Sequence, residues 1–339
     1  SLVGSEMCIR DRDSTHTEEY THGFYFHTTL FKQLEVNLGT EQRNRRTVQH
    51  IKDTIRVLET NYTDQLVKLE VSSANQKNKA NGIFWRIGKN YILTGDHAGE
   101  DLIYGTLSYV FKEKKKLLLD YSNTFRSAPF IYKHYNSNHF SWNNTFKNIT
   151  ESHVKIKYRD SKNKFSLGVE RDQIAGYVYF DSTFSPKQFD STITITSAFV
   201  QKNLHLKHFN FNNKITWQQS SADVIRIPKF VTNHSIYYEG KWFKKVMEVQ
   251  FGFDISFCSA YYGDAYMPAL SQYYLQNEKE LGNYPFVDFF FNMRVKHARI
   301  FLKSEHVNSG LMGSNYFLAP HMPGPDRSLK VGIRWAFYD

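Results

Sequence analysis

The sequence is short of several things. Cysteine occurs twice in 339 residues, at Cys8 and Cys258, which excludes a disulfide framework and a four-cysteine zinc site. Proline occurs eight times, and no Pro/Ser-rich linker or shift in composition divides the chain, so it reads as one domain. There is no run of about 18 apolar residues, which excludes a transmembrane helix. No glycine-rich phosphate loop, HExxH or GxSxG pattern appears, so neither residues nor spacing point to an enzyme or to a bound cofactor or metal. Aromatics, by contrast, are plentiful. The 28 Phe, 22 Tyr and 5 Trp are too many for a solvated, disordered chain. The apolar fraction is 41%, the formal charge is +10 and the mean hydropathy is -0.53. Two classes fit: a large soluble β protein, or a transmembrane β-barrel whose alternation hides its hydrophobicity from averages.

Period-2 alternation is the dominant pattern. From Met247, one face carries Met247, Val249, Phe251, Phe253, Ile255 and Phe257, and the other carries Glu248, Gln250, Gly252, Asp254, Ser256 and Cys258. Near the C-terminus Leu329, Val331, Ile333, Trp335 and Phe337 oppose Lys330, Gly332, Arg334, Ala336 and Tyr338. A third segment sets Val287, Phe289, Phe291, Met293 and Val295 against Asp288, Asn292, Arg294 and Lys296, with Phe290 as the exception. These alternations run for about ten residues or more, which matches a tilted strand crossing a bilayer better than the five or six residues usual in soluble sheets. Connections alternate between tight ones, around Gly88, Glu113, Ser161, Lys202, Gly240 and His297, and long ones, over 126–138, 181–188, 219–231, 262–284 and 305–328. Short turns at one rim and long loops at the other are the barrel pattern. The expectation is an all-β, antiparallel, up-and-down transmembrane barrel with about 14–16 strands. Residues 14–73 are weakly patterned, with 47–60 open between helix and strand, and the change of phase near Lys207 is either a bulge or a hairpin.

The first twelve residues, Ser1-Leu2-Val3-Gly4-Ser5-Glu6-Met7-Cys8-Ile9-Arg10-Asp11-Arg12, resemble translated read-through of a sequencing-library adapter. Residues 1–13 are therefore expected to be an artefact or disordered and are excluded from fold reasoning. The barrel domain is expected over 14–339, with the native start and signal peptide upstream.

Several stretches of the C-terminal two thirds resemble the putative porin family of Bacteroidetes outer membranes. They are Ala265-Tyr266-Met267-Pro268-Ala269, Gln272-Tyr273-Tyr274-Leu275-Gln276, Glu280-Leu281-Gly282-Asn283-Tyr284-Pro285-Phe286-Val287-Asp288 and Lys296-His297-Ala298-Arg299-Ile300-Phe301-Leu302-Lys303. Upstream, Tyr132-Lys133-His134-Tyr135-Asn136 and Ile227-Pro228 belong to the same set, as does the closing Trp335-Ala336-Phe337-Tyr338-Asp339. The resemblance covers about residues 99–339. It implies an outer-membrane barrel with porin-like activity in a Gram-negative bacterium, supplies no catalytic motif, and leaves the solute undefined. Members are usually longer on the N-terminal side, so the chain is expected to be a C-terminal portion, with closure left open between a curved open sheet and a closed smaller barrel.

On this reading Glu248, Gln250, Asp254, Asn292, Arg294, Lys296, Lys330 and Arg334 line the pore. Val249, Phe251, Phe253, Ile255, Phe257, Phe289, Phe291, Val331, Ile333, Trp335 and Phe337 face lipid. The cations of the last strands either give a weak anion preference or pair with Glu248, Asp254 or Asp288 and only solvate the lumen. Trp242, Tyr261, Tyr262, Trp335 and Tyr338 near strand ends suit a membrane interface. The final strand resembles the signal by which such barrels enter their assembly machinery. His205 and His208, three apart on a strand, point to opposite faces and are no metal site. Ser304 and His306, two apart, share a face, but no motif makes them a hydrolase pair. The basic turn Lys112 to Lys116 lacks the broad face and stacking aromatics of a nucleic-acid surface, so no nucleic-acid partner is expected. The partners expected are lipid and small hydrophilic solutes. The leading function is passive diffusion; an energised receptor barrel with an N-terminal plug, or an adhesin using the long loops, are the alternatives.

Overall fold

The structure is a computed structural model that describes residues 14–31, 33–51, 56–73, 81–112, 114–137, 139–311, 313 and 316–335. The adapter-like stretch, Phe337 and Tyr338 lie outside the described residues.

Alternating, aromatic-rich segments become strands because the pleat sends successive side chains to opposite faces. Fifteen strands form one antiparallel sheet, the wall. In order they are β1 (Ser14–Leu30), β2 (Leu34–Ile51), β3 (Arg56–Ser73), β4 (Gly82–Gly95), β5 (Asp101–Phe111), β6 (Lys115–Arg126), β9 (Ile149–Asp160), β10 (Phe165–Ala175), β13 (Ile193–Leu206), β14 (Phe209–Ser220), β15 (Phe230–Trp242), β16 (Met247–Cys258), β19 (Phe286–Val295), β20 (Ala298–Glu305) and β23 (Ser328–Trp335). Each pairs with the next in the chain, so the topology is up-and-down. The numbers skipped belong to small ribbons in the long loops: β7 (His134–Asn136) with β8 (Ser141–Asn143), β11 (Val178–Phe180) with β12 (Pro186–Gln188), β17 (Ala265–Met267) with β18 (Gln272–Tyr274), and β21 (Phe317–Ala319) with β22 (Met322–Pro323). A single helical turn, α1 (Phe130–Lys133), precedes β7. Among the described residues β1 and β23 do not pair with each other, so the wall is an open sheet.

The register fixes two faces. Residues directly opposite share a face, and following the pairs from β16 outward places one polar set and one apolar set across all fifteen strands. On the apolar side Val249 meets Met293, Phe251 meets Phe291, Phe253 meets Phe289 and Ile255 meets Val287. Further along, Ile300 meets Ile333 and Leu302 meets Val331. Phe290, the exception to the alternation, is on the polar face opposite Gly252.

The weakly patterned region is three of the longest strands, with 17, 18 and 18 residues. The physical reason is visible along their apolar side. Leu34, Val36 and Leu38 in β2, with Val71, Leu69 and Val67 in β3, start at the short-turn rim, but Gln42, Asn44 and Arg46 and then Gln65, Thr63 and Asn61 continue the same side. Such strands need only about ten residues to cross a bilayer. The remainder is mostly polar on both sides, which erases the alternation. Residues 47–51 and 56–60 are strand, not helix. The change of phase at Lys207 is a hairpin, with Lys207 and His208 as its turn and Leu206 paired with Phe209.

The five-residue β4–β5 connection, 96–100, is at the long-loop rim, and the described turns of two to four residues fall at the other. Their tips carry Lys112 and Lys114, Lys162 and Lys164, Lys207, Lys244 and Lys245, and Lys296, all exposed. Lys112, Lys164, Lys207, Lys244, Lys245 and Lys296 have positive φ, the twist a tight connection between antiparallel strands needs. Just inside this rim, rings meet on the apolar face. Tyr109, Phe111, Tyr158 and Phe165 form one chain of contacts at 5.3–6.4 Å. Phe209, Tyr238, Trp242 and Phe251 form another at 5.2–6.3 Å.

Two aromatics of the polar face lie over glycines. A Cβ on Gly168 would sit 2.6 Å from Phe199, and one on Gly332 would sit 2.0 Å from Phe301. Gly168→Val is expected to destabilise the wall by about 1–3 kcal/mol through overpacking, and adding Phe199→Ala to recover part of the loss. Urea midpoints of the two variants in lipid, read by heat-modifiable mobility, check this.

Candidate functional site: the polar face and its loop cap

Rows of side chains cross the polar face at right angles to the strands. Nearest the short-turn rim, Lys241, Glu248, Arg294, Arg299 and Arg334 lie successively opposite one another. Glu248 accepts from Arg294 at 2.7 Å and pairs with Lys241 at 3.3 Å. Arg299 faces Arg334 across the last strand pair. In the next row Asn292 Nδ2 donates to Gln250 Oε1 at 3.0 Å. Higher up, Asp254 is directly opposite Asp288, a like-charge pair that costs stability unless compensated. Lys303 compensates it from β20, 2.9 Å from Asp288 and 3.3 Å from Glu305, and Lys330 reaches Glu305 at 2.7 Å. A groove of about 340 Å³ runs above these rows, lined by Gln201, Lys214, Asn233, Ser235, Asp254 and Asp288 among others.

The structure therefore brings Glu248, Gln250, Asp254, Asn292, Arg294, Lys330 and Arg334 onto one face. Lys296 leaves the set, because β19 ends at Val295 and Lys296 occupies the turn with φ 51°. Trp242 and Trp335 end their strands at the short-turn rim, whereas Tyr261 belongs to the long loop, bridged to Leu281 by two backbone hydrogen bonds of 3.0 and 2.8 Å. Ser304 and His306 do not share a strand face: β20 ends at Glu305 and His306 turns away with φ 51°. His205 accompanies the polar face, and His208 occupies the hairpin turn. No group of three potential metal ligands occurs among the described residues.

At the opposite rim the long loops pack on one another. Phe180 in β11 is 1% exposed, with Tyr132 at 4.7 Å and Trp142 at 5.6 Å between ring centroids. Its carbonyl accepts from the Leu275 amide at 3.0 Å, and the Tyr135 hydroxyl donates to the Ala269 carbonyl at 3.3 Å. The β6–β9 and β16–β19 loops are rooted six strand spacings apart, about 29 Å along the wall, yet they touch, so both lean toward a common centre. Gln276, 3% exposed, holds this centre. Its Nε2 donates to the Gly263 and Lys279 carbonyls, its Oε1 accepts from the Glu278 and Lys279 amides, and its own carbonyl accepts from Arg226. The last loop is pinned by His306, 1% exposed, whose Nδ1 donates to the Pro325 carbonyl at 2.8 Å and whose Nε2 accepts from the Tyr284 hydroxyl at 2.7 Å. Sequence reading marked these segments as loops and missed the cap. The available signal was their aromatic content, which is excessive for solvated connections.

Burial in the cap changes titration. It pushes the Tyr177 phenol up to about 12 and raises the Asp264 carboxyl above the usual carboxylate range, against the pull of Arg226. The Asp264 Oδ1 atom is buried without a hydrogen-bond partner among the described residues.

An open antiparallel wall with one apolar and one polar face, tight turns at one rim and a loop cap at the other has the architecture of an outer-membrane β-barrel wall. The chain belongs to the putative porin family, whose family model matches residues 13–339. No curated protein matches it. Solved structures share the fold. The siderophore receptor PirA from Acinetobacter baumannii is 10% identical, with a TM-score of 0.67 over 96% of this chain and 55% of that one. The FrpB iron transporter from Neisseria meningitidis is 12% identical, with a TM-score of 0.59 over 95% and 55%. The ferric enterobactin receptor PfeA from Pseudomonas aeruginosa is 9% identical, with a TM-score of 0.66 over 95% and 54%. The chain thus spans about half the length of these structures.

Two outcomes follow for the cap. His306→Ala leaves the Pro325 carbonyl without its donor and the Tyr284 hydroxyl with only the Asn308 carbonyl, 3.3 Å away, and is expected to cost about 1–3 kcal/mol locally, read as faster proteolysis of residues 306–327 with the wall intact. Asp264 binds its proton more tightly folded than unfolded, so cap stability falls as pH rises from the ordinary carboxylate pKa through the raised one. Hydrogen exchange of the Gln276 region against pH is expected to show this decline, and Asp264→Asn to remove it.

Proposed function

We propose that the chain is the wall of an outer-membrane porin of a Gram-negative bacterium, passing small hydrophilic solutes by passive diffusion. The observation that carries this reading is the continuity of the two faces: polar rows run across all fifteen strands with the apolar set behind them. In hydrocarbon every backbone donor and acceptor must be paired, which the ladder supplies. Val249, Phe251, Phe253, Ile255, Phe257, Phe289, Phe291, Val331, Ile333 and Trp335 then meet lipid, and Phe253→Arg costs about 2–4 kcal/mol near the midplane. Glu248, Gln250, Asp254, Asn292, Arg294, Lys330 and Arg334 meet water. The channel needs no chemical step, cofactor or metal, and filters by width and wall charge. Since Arg294, Lys303 and Lys330 are held by carboxylates, ion selectivity is weak, with Arg299 and Arg334 supplying what anion preference remains. The last strand is the element offered to the barrel-assembly machinery.

The likeness to siderophore-receptor barrels and the packed cap favour a second reading, a receptor-transporter in which the loops hold a solute for energised uptake. Single-channel recording of the intact gene product in a planar bilayer separates the two. Stepwise ohmic currents with a reversal potential near zero in a salt gradient are expected of the porin. Silence from folded, heat-modifiable protein moves the assignment to the receptor.

A further inference from the structure

The chain carries a formal net charge of +10, and the short-turn rim is rich in lysine. Five short turns, at 112–114, 161–164, 207–208, 243–246 and 296–297, carry eight exposed lysines against one carboxylate in their sequence, Glu113. Among the described residues none of these lysines lies within 4.0 Å of an acid. The nearby acid Asp160 is engaged by Lys115 at 3.6 Å and by the Asn163 side chain at 2.9 Å. Solvation alone accounts for exposed lysines, but the same turns carry apolar tips. Phe243 is 74% exposed, flanked by Trp242 and Val246, and Phe31, on the β1–β2 turn of the same rim, is 89% exposed. Behind them runs the aromatic belt of Tyr109, Tyr158, Phe209 and Tyr238. A phenylalanine at a turn tip beside two lysines suits a boundary where acyl chain gives way to a charged headgroup, and suits bulk water poorly.

We infer that the short-turn rim is a binding surface for anionic phospholipid headgroups, with the turn lysines gripping phosphate and Phe31 and Phe243 anchored at the acyl boundary. The inference rests on the reading that the apolar face meets a bilayer. Eight ammonium groups distributed over five turns contact several headgroups at once, so the surface selects lipid charge and holds the wall at a fixed depth. A lysine near an anionic surface contributes about fivefold in association, and the effect is screened within about 10 Å at 0.1 M salt.

The test is the association of spin-labelled phosphatidylglycerol and phosphatidylcholine with the intact gene product in phosphatidylcholine vesicles. Preference for phosphatidylglycerol of fivefold or more at low salt is expected, shrinking at 0.5 M salt. The variant K162Q/K164Q/K244Q/K245Q is expected to lose most of it, K162R/K164R/K244R/K245R to keep it, and Lys147→Gln with Lys187→Gln, in the long loops, to leave it unchanged. Equal association of the two lipids, or a preference that survives in the glutamine variant, overturns the inference. Failure to enter vesicles at all would instead overturn the bilayer reading itself, and with it the inference; gel mobility on heating confirms that each variant is folded.

Discussion

Pairing of backbone N–H and C=O groups along the wall is the constraint on which everything else rests. A strand can show an apolar side to hydrocarbon only if its own amides are already engaged by neighbours, and the continuous antiparallel ladder from β1 to β23 meets that need for every strand between them. The ladder in turn fixes which side chains stand side by side. A slip of one residue would send Phe251 and Phe253 among the charged rows and Glu248 and Asp254 onto the apolar face. The cross-strand ion pairs from Lys241 to Arg294 and from Asp288 to Lys330 are thus consequences of register, and they also resist its slippage.

The cap obeys a different physics. Its segments bury aromatics against one another, with Phe180, Leu281 and His306 among its most enclosed side chains. Loops rooted far apart along the wall converge there, so the mouth is defined by packing between connections and not by the strands beneath.

Much of the wall was legible in the sequence. Alternation in β16, β19 and β23 is nearly perfect because those strands are close to the length that spans hydrocarbon, and there the polar and apolar sets follow from parity alone. Phe290 follows that parity onto the polar face, opposite Gly252, although its ring is apolar. Parity failed where other physics intervened. Lys296 left its row because a turn began one residue earlier than the alternation implied. β1 to β3 were obscured by overhang. The partners within the cap were not legible, since loop-to-loop contacts such as Leu275 with Phe180 join residues nearly a hundred positions apart with no periodicity to announce them; only the aromatic content of the loops signalled that they pack.

The overhang also bears on the sheet's free edge. β1 runs for 17 residues, but its flank from Leu30 to Phe24 is the part level with the apolar band, while Tyr20 to Ser14 stands beyond it. Water can satisfy the unpaired amides of the upper half, whereas those of the lower half must find another strand. A closing neighbour therefore needs to zip only along the base, over a stretch about as long as the eight residues of β23, and the upper seam can stay parted like an unbuttoned collar without cost to the membrane below.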